Sequence, residues 1–366
     1  MISTKNLIYP TLFILLISSF SFGCKPKPML LKANELQAIG RTLLDDENNL
    51  ELITSAAHFT FNFDGKNCKI FAFLTDSTAH NYLQYELDGV YQKRLRIDGN
   101  VNEPIIIEAE KEGTHSLTIY KATEAHTGPI FISGIEGQNI KPIITNETPL
   151  IEFIGNSITC GAAADTSEYP CNSGFYHDQH NAYMAYGPRT ARALGLDFVL
   201  SSVSGIGIYR TWNMESPNMP EVFETADFQV NGKRKWEFKK INPTIVSIAL
   251  GTNDFSNGDG VNPRTPFDSK LFTERYILFV KQVKSHYPNA KIALLSSPMV
   301  TGENEVVFQN CLLEVKSAID KLYPNETPVA LHFFKSMQAT GCSGHPNVEE
   351  HQIMAEQVIP FFKEML

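Results

Sequence analysis

The sequence is short of positive charge and lacks the common metal and cofactor motifs. Its 366 residues hold 31 Lys and Arg against 40 Asp and Glu, a net charge of −9. A protein that neutralises nucleic-acid phosphates needs a basic face, so this balance argues against nucleic acid as a partner. The chain has no CxxC, HExxH, P-loop or strand-linked GxGxxG, and zinc-ribbon, zinc-protease and nucleotide-binding interpretations therefore lack support. We expect neither a metal ion nor a cofactor.

The first 24 residues predict export. Residues 1–6 carry one positive charge, and residues 7–22 form an almost entirely apolar run. This run is short for a membrane span and is typical of a secretory signal. It ends in Ser21-Phe22-Gly23-Cys24, which resembles a bacterial lipoprotein cleavage site, although Ser21 stands where Leu is usual. We expect lipidation at Cys24 and a place on the cell envelope, in the periplasm or at the surface. Cleavage nearby, giving a secreted protein, is the alternative.

Few cysteines are left for disulfides. If Cys24 is lipidated, an odd number remains, which in an exported protein allows at most two disulfides and one free thiol. The sequence does not assign the pairs. Cys160 and Cys171 close a short loop and are the first pair to examine. The remaining cysteines are Cys68, Cys160, Cys171, Cys311 and Cys342.

Two regions differ in hydrophobic periodicity. In residues 33–146, Phe59, Phe61 and Phe63 alternate with polar residues, which is the period of a half-buried strand. Further short apolar runs follow, separated by turn signals that include Asp64-Gly65 and Asp88-Gly89. Short strands at this spacing predict a β-sandwich.

From residue 149 to residue 366, apolar runs alternate with helical stretches. This βαβ alternation predicts a parallel sheet covered by helices on both faces, with ligands outside the carboxyl ends of the strands. The boundary between the two regions is expected in 141–149, which holds two prolines. The predicted strands are 150–154, 198–203, 245–250, 292–295 and 329–333, and the predicted helices are 183–194, 269–285, 305–322 and 348–362.

Four short segments carry residues suited to acyl transfer. Ser157 follows the first strand of the α/β region, where a turn can expose a nucleophile, although such a serine is more often a helix cap. Gly205 can point a backbone N–H at a ligand, and the Asn253 side chain can donate to an oxyanion. His345 can shuttle protons. Each signal alone fits a plain turn or a surface residue. Together, and in this order along one domain, the four residues supply a nucleophile, oxyanion donors and a proton carrier. An acyl-transfer enzyme needs these groups.

These segments resemble the blocks of the SGNH (GDSL-like) hydrolase superfamily. Residues 155–159 look like its nucleophile block, with Asn156 where Asp is common. Gly205, Gly251-Thr252-Asn253-Asp254 and His345-Pro346 match the later blocks. The closer resemblance is to carbohydrate esterase family 2, whose members join a small jelly roll to a flavodoxin-like SGNH domain. The resemblance implies removal of acetyl groups from plant polysaccharides such as xylan and glucomannan, without a cofactor.

The resemblance also assigns roles. Ser157 and His345 would be catalytic, and the oxyanion would be bound by the N–H groups of Ser157 and Gly205 and by the Asn253 side chain. The expected partner is an acetylated polysaccharide or oligosaccharide, with membrane contact through a lipid anchor only, and the protein is expected to be a monomer. The alternatives are an esterase acting on another acylated glycan, and a glycan-binding protein with a degenerate hydrolase domain.

Two departures from the family pattern bear on the site. Many relatives carry an Asp two or three residues before the histidine, where this chain has Ser343 and Cys342. We therefore expect a Ser–His dyad whose imidazole is held by a backbone carbonyl; Asp254 is the alternative carboxylate. The family often places an aromatic residue just before the histidine, where this chain has Gly344. Three aromatic residues are candidates to replace it in binding substrate: Tyr176, Tyr209 and Trp212.

One remaining pair has the spacing of metal ligands. His177 and His180 form an HxxH pair with Asp178 between them. A solvated loop is the interpretation that we favour over a metal site.

Overall fold

The computed structural model describes residues 27–143 and 148–366. The predicted signal and Cys24 lie outside the described residues, as does part of the predicted boundary. Among the described residues, no helix is long and apolar enough to cross a membrane.

The N-terminal domain is all-β, and its ten strands pair antiparallel throughout. The main path of neighbouring strands is β3-β4-β10-β5-β9-β6-β7, with β1 on β10 and both β2 and β8 on β5. The strands are β1 (Met29–Lys32), β2 (Ala38–Ile39), β3 (Thr42–Leu44), β4 (Leu50–Leu52), β5 (His58–Phe73), β6 (His80–Leu87), β7 (Val90–Asp98), β8 (Ile105–Glu108), β9 (Thr114–Lys121) and β10 (Ile130–Pro142).

The strand β5 contains the predicted run of alternating phenylalanines. Phe59, Phe61 and Phe63 are buried in the core of this domain, as their alternation predicts. The prediction of a turn at Asp64-Gly65 is wrong, because this dipeptide lies inside β5. Gly65 has a φ of 95°, which glycine adopts without a steric penalty, and the pairing with β10 shifts register opposite it. The chain therefore bulges and continues in the sheet.

The Asp88-Gly89 turn is where the pattern placed it. It joins β6 to β7 with two residues, which have φ values of 52° and 78°. Positive φ at both central residues is the geometry that suits the twist of a tight hairpin. The strand β7, which begins after this turn, carries the exposed charged residues Lys93 and Arg96.

The C-terminal domain is a five-stranded parallel sheet in the order β12-β11-β13-β14-β15. Each predicted strand and helix is present, with ends that differ by three residues or fewer, and the predicted fold class is confirmed. The strands are β11 (Leu150–Gly155), β12 (Asp197–Ser202), β13 (Ile245–Ala249), β14 (Lys291–Leu295) and β15 (Ala330–His332). The helices are α1 (Ser157–Cys160), α2 (Tyr186–Leu194), α3 (Met219–Val222), α4 (Ser269–His286), α5 (Glu303–Leu322) and α6 (Val348–Met365).

The two domains share packed interiors. The helices α4 and α5 form one core with the parallel sheet, and Ile53 and Ala125 of the N-terminal domain are part of it. The helices α2 and α6 form a second core, which includes Ala56 and Tyr120. Apolar contact of this kind holds domains in one arrangement, because separating them would expose the shared interior to water.

A buried arginine adds polar contacts across the same interface. Arg41 of the N-terminal domain donates to the carbonyl oxygens of Phe223 (2.6 Å) and Thr225 (2.7 Å) and lies 3.9 Å from the Glu152 carboxylate. A guanidinium without such partners would be costly to bury. The N-terminal domain therefore fits one specific place on the α/β domain.

Candidate active site

Ser157 is the first residue of α1, directly beyond the carboxyl end of β11. The side chain of Asn156 caps this helix by accepting a hydrogen bond from the Ile158 N–H (3.0 Å). The cap is therefore Asn156, and the Ser157 hydroxyl is available for another contact. Ser157 is 6% exposed, so its hydroxyl lies at the base of a cleft.

His345 meets this serine from the loop before α6. The Ser157 hydroxyl lies 2.8 Å from Nε2 of His345 and can donate to it, while Nδ1 faces the Cys342 carbonyl at 3.3 Å. The Nδ1–H donor and the Nε2 acceptor define the neutral tautomer that a base needs. Burial lowers the pKa of His345. The arrangement has the geometry of a dyad whose imidazole is held by a backbone carbonyl.

Asp254 is engaged elsewhere. It is fully buried, and its carboxylate accepts hydrogen bonds from the N–H groups of Ile208 (2.9 Å) and Tyr209 (3.0 Å). Burial raises the pKa of this carboxyl to about 6. Asp254 therefore fixes the loop that follows β12, and it does not take the place of the carboxylate that the His345 loop lacks.

Gly205 and Asn253 come from the two strands that flank β11. Gly205 follows β12 with a φ of 77°, and a Cβ there would lie 2.8 Å from the Trp212 ring, so both backbone and space require glycine. Asn253 follows β13 and donates one amide hydrogen to the Ile206 carbonyl (2.7 Å). Its second hydrogen is available to a ligand. Both residues line the same cleft as Ser157.

The cleft has a volume of about 530 Å³. Trp212 and Tyr176 line it and are 42% and 40% exposed. Tyr209 does not line the cleft: it is 8% exposed, packs against Phe267 and accepts a hydrogen bond from the Asp268 N–H. Its place in the substrate site is therefore a wrong prediction. The full lining is Ser157, Ile158, Tyr176, Ser204, Gly205, Trp212, Thr252, Asn253, Ser256, Met299, Ser343, Gly344 and His345.

The disulfide is not the one that the short loop suggested. Cys171 pairs with Cys342, which is 171 residues away in sequence. Cys160 is a buried free thiol 3.2 Å from the Ser202 hydroxyl, because α1 places it beneath the end of the sheet. Burial strongly raises the pKa of this thiol. Within the described residues, Cys68 and Cys311 are also free and buried.

The HxxH pair is divided between two clusters. His177 lies beside His80 and Asp178, and the ligand atoms of these three residues lie within 4.8 Å of one another, close enough to surround a metal ion. Both Asp178 oxygens are already occupied, since one accepts from His80 (2.5 Å) and Tyr82 (2.8 Å) and the other from the Phe175 N–H (2.7 Å). The cluster serves as a hydrogen-bonded contact between the domains.

The second cluster brings an unforeseen carboxylate beneath the cleft. Glu124 of the N-terminal domain contacts His180 and the Ser204 N–H, next to Gly205. Nothing in the pattern around Glu124 distinguishes it from a surface glutamate. Only the packing of the two domains brings it to the site.

Two known families cover most of the chain. Residues 38–145 match the family described as Carbohydrate esterase 2 N-terminal, and residues 153–325 match the GDSL-like Lipase/Acylhydrolase family. The matches fall on the all-β domain and on the α/β domain respectively. The resemblance stated from the motifs is confirmed.

Individual relatives agree with these families. The chain is 27% identical to an acetylxylan esterase / glucomannan deacetylase of Cellvibrio japonicus, over 96% of this chain and 95% of that protein. It is also 27% identical to the cellulase/esterase CelE of Acetivibrio thermocellus over 89% of this chain, and spans only 39% of the length of CelE. A family two carbohydrate esterase from Clostridium thermocellum, solved in complex with cellohexaose, superimposes with a TM-score of 0.78. It is 25% identical and is aligned over 90% of this chain and 98% of its own.

Proposed function

We propose that this protein, which belongs to the SGNH hydrolases with the two-domain organisation of carbohydrate esterase family 2, is a carbohydrate O-acetyl esterase. The observation that carries the proposal is the 2.8 Å contact between the Ser157 hydroxyl and Nε2 of His345 at the base of an open cleft. A serine activated by a neutral imidazole is the nucleophile of acyl transfer. The cofactor-free mechanism proposed here uses only side chains and backbone groups.

The geometry supports the following sequence of steps. His345 takes the proton of the Ser157 hydroxyl as the serine oxygen attacks the acetyl carbonyl. The N–H groups of Ser157 and Gly205 and the second amide hydrogen of Asn253 bind the resulting oxyanion. The imidazolium then protonates the departing sugar hydroxyl, leaving an acetyl ester on Ser157. Water, activated by His345, attacks this ester, and acetate leaves as the serine regains its proton.

The cleft and the relatives support the proposed substrate class. The cleft is open and is bordered by the exposed rings of Tyr176 and Trp212, against which the apolar face of a sugar can stack. Gly344 leaves the position before the catalytic histidine without a side chain, so these two rings replace the usual aromatic. Acetylated xylan and glucomannan are the polysaccharides that we propose, as for the Cellvibrio relative.

The cellular location of the protein is part of the same proposal. The apolar run that ends at Cys24 supports export, with a lipid on Cys24 as the membrane anchor and a monomeric enzyme beyond it. An enzyme at the cell envelope would meet acetylated polysaccharide or oligosaccharide outside the cytoplasm.

Acetate release tests the activity. The chain that follows Cys24 would be incubated with 4-nitrophenyl acetate, acetylated xylan and acetylated glucomannan, beside its Ser157→Ala variant. We expect release that is lost in the variant while thermal unfolding is unchanged. Ser157-dependent release from 4-nitrophenyl acetate alone would reject both glycans and favour another acylated glycan. No Ser157-dependent release from any ester would reject the esterase and favour glycan binding without catalysis.

A further inference from the structure

The turn that carries Gly205 rests on a carboxylate of the other domain. Glu124 lies just after β9 and is 3% exposed. One of its oxygens accepts the Ser204 N–H at 2.6 Å, and the other lies 3.3 Å from Nε2 of His180. Lys121 donates to the backbone carbonyl of Glu124 (2.6 Å) and so fixes the turn that presents the carboxylate.

Glu124 is ionised in this setting. Burial alone would raise its pKa, but the hydrogen bonds from His180 and Ser204 outweigh burial and lower the pKa of the Glu124 carboxyl below its ordinary value. A backbone N–H bound to a carboxylate makes a charge-assisted bond, which is stronger than a bond between neutral groups. The Ser204 peptide is therefore held firmly, and the next peptide carries the Gly205 N–H.

The tautomer of His180 follows from its neighbours. The Ala163 N–H donates to Nδ1 of His180 (3.2 Å), so Nδ1 is an acceptor and Nε2 carries the proton that is donated to Glu124. The His180 ring meets Tyr176 edge to face at 4.7 Å. The Tyr176 hydroxyl lies 3.4 Å from Nε2 of His345. Glu124 thus contacts Ser204, next to Gly205, and is linked through His180 and Tyr176 to His345.

We propose that Glu124 is a positioning residue, through which the N-terminal domain holds the Gly205 oxyanion donor in place and provides the negative charge that faces the catalytic imidazole. The inference rests on the proposed esterase function. It gives the N-terminal domain a part in catalysis, whether or not that domain also binds glycan. It also names a carboxylate in a site whose histidine loop has none.

The charge acts on His345 from a distance. Among residues 27–143 and 148–366, the ionisable groups that face His345 are Tyr176, His180, Glu124 and His351 of α6, and Glu124 is the anion in this group. A negative charge favours the imidazolium that forms as Ser157 loses its proton. Removing it lowers the His345 pKa further, and the acid limb of the pH profile moves to lower pH. A residue with only a structural role would not move that limb.

The test compares Glu124→Gln with Glu86→Gln. Glu86 is a matched control, because it also accepts a hydrogen bond across the domain interface, from the Tyr183 hydroxyl at 2.9 Å, and lies outside the cleft. With 4-nitrophenyl acetate, we expect Glu124→Gln to lower kcat about 10- to 100-fold with little change in KM. The reason is that a displaced Gly205 N–H stabilises the oxyanion of the transition state poorly. Glu86→Gln should keep the wild-type kcat and acid limb.

A folded Glu124→Gln protein with wild-type kcat and an unmoved acid limb overturns the proposal. If that variant does not fold, Glu124→Asp keeps the charge on a shorter side chain, and wild-type kcat in Glu124→Asp rejects the part of the proposal in which Glu124 holds the Gly205 donor in place. A titration of His345 by NMR in the Ser157→Ala background needs no activity. An equal His345 pKa with and without Glu124→Gln rejects the charge effect, even in a protein that proves to be no esterase.

Discussion

Cys342 connects the loop that carries His345 to the loop that carries Tyr176. Its carbonyl faces Nδ1 of His345 at 3.3 Å, and its side chain forms the disulfide with Cys171. Cys171 lies five residues before Tyr176, whose hydroxyl contacts the same imidazole. One residue thus holds the orientation of the imidazole and connects two loops of the site.

Replacing both cysteines, as Cys171→Ser with Cys342→Ser, should affect stability and catalysis together. Loss of a disulfide that closes a long loop is expected to lower the free energy of unfolding by about 2–4 kcal/mol. Loss of the disulfide should also lower kcat, because the His345 loop then moves and takes with it the Cys342 carbonyl that orients the imidazole. Urea unfolding and 4-nitrophenyl acetate kinetics measure the two effects. Unchanged kcat in the double variant, with Cys311→Ala as the control, would show that the disulfide does not hold the site.

Asn253→Ala tests whether the Asn253 side chain donates a hydrogen bond to the oxyanion. Loss of one such donor is expected to lower kcat by about 10²–10³-fold, with a much smaller effect on KM, because the bond strengthens as charge develops on the oxygen. Ser256→Ala is the matched control, since Ser256 lines the same cleft and has no assigned role. Equal kcat values for the two variants would remove Asn253 from the oxyanion hole.

Trp212→Ala tests whether the Trp212 ring binds the sugar of the substrate. We expect kcat/KM on acetylated polysaccharide to fall about fivefold to tenfold further than on 4-nitrophenyl acetate, which corresponds to about 1 to 1.4 kcal/mol of lost stacking. The comparison between substrates matters because the Trp212 ring also lies against Gly205. Trp212→Phe should recover most of the loss. An equal fall on both esters would place Trp212 in the support of the oxyanion turn and outside sugar binding.

Local patterns predicted the α/β domain well. The apolar strands and amphipathic helices between 150 and 365 are strongly periodic, and each is present in the structure. The positions of Ser157, Gly205 and Asn253 followed from one rule, since residues beyond the carboxyl ends of adjacent parallel strands must lie close together. These three residues come from β11, β12 and β13, which are neighbours in the sheet.

Long-range packing decided what the sequence left open. The partner of Cys342, the burial of Tyr209 and the approach of Glu124 depend on segments more than 50 residues apart. Within the N-terminal domain, the Asp64-Gly65 signal was ambiguous because the same glycine conformation serves a turn and a bulge. Such outcomes follow from tertiary contacts, which periodicity does not report.

The pH profile tests the state of the dyad. Burial lowers the pKa of His345 below the ordinary histidine value, and the Cys342 carbonyl only partly offsets this effect. The base must be neutral to accept the Ser157 proton, so activity is present above the His345 pKa and is lost as pH falls through it. We therefore expect the acid limb of kcat/KM, measured with 4-nitrophenyl acetate, to have its midpoint below about 6.5. A midpoint above that value would require a nearby carboxylate that stabilises the imidazolium strongly, and would contradict a dyad held by a backbone carbonyl.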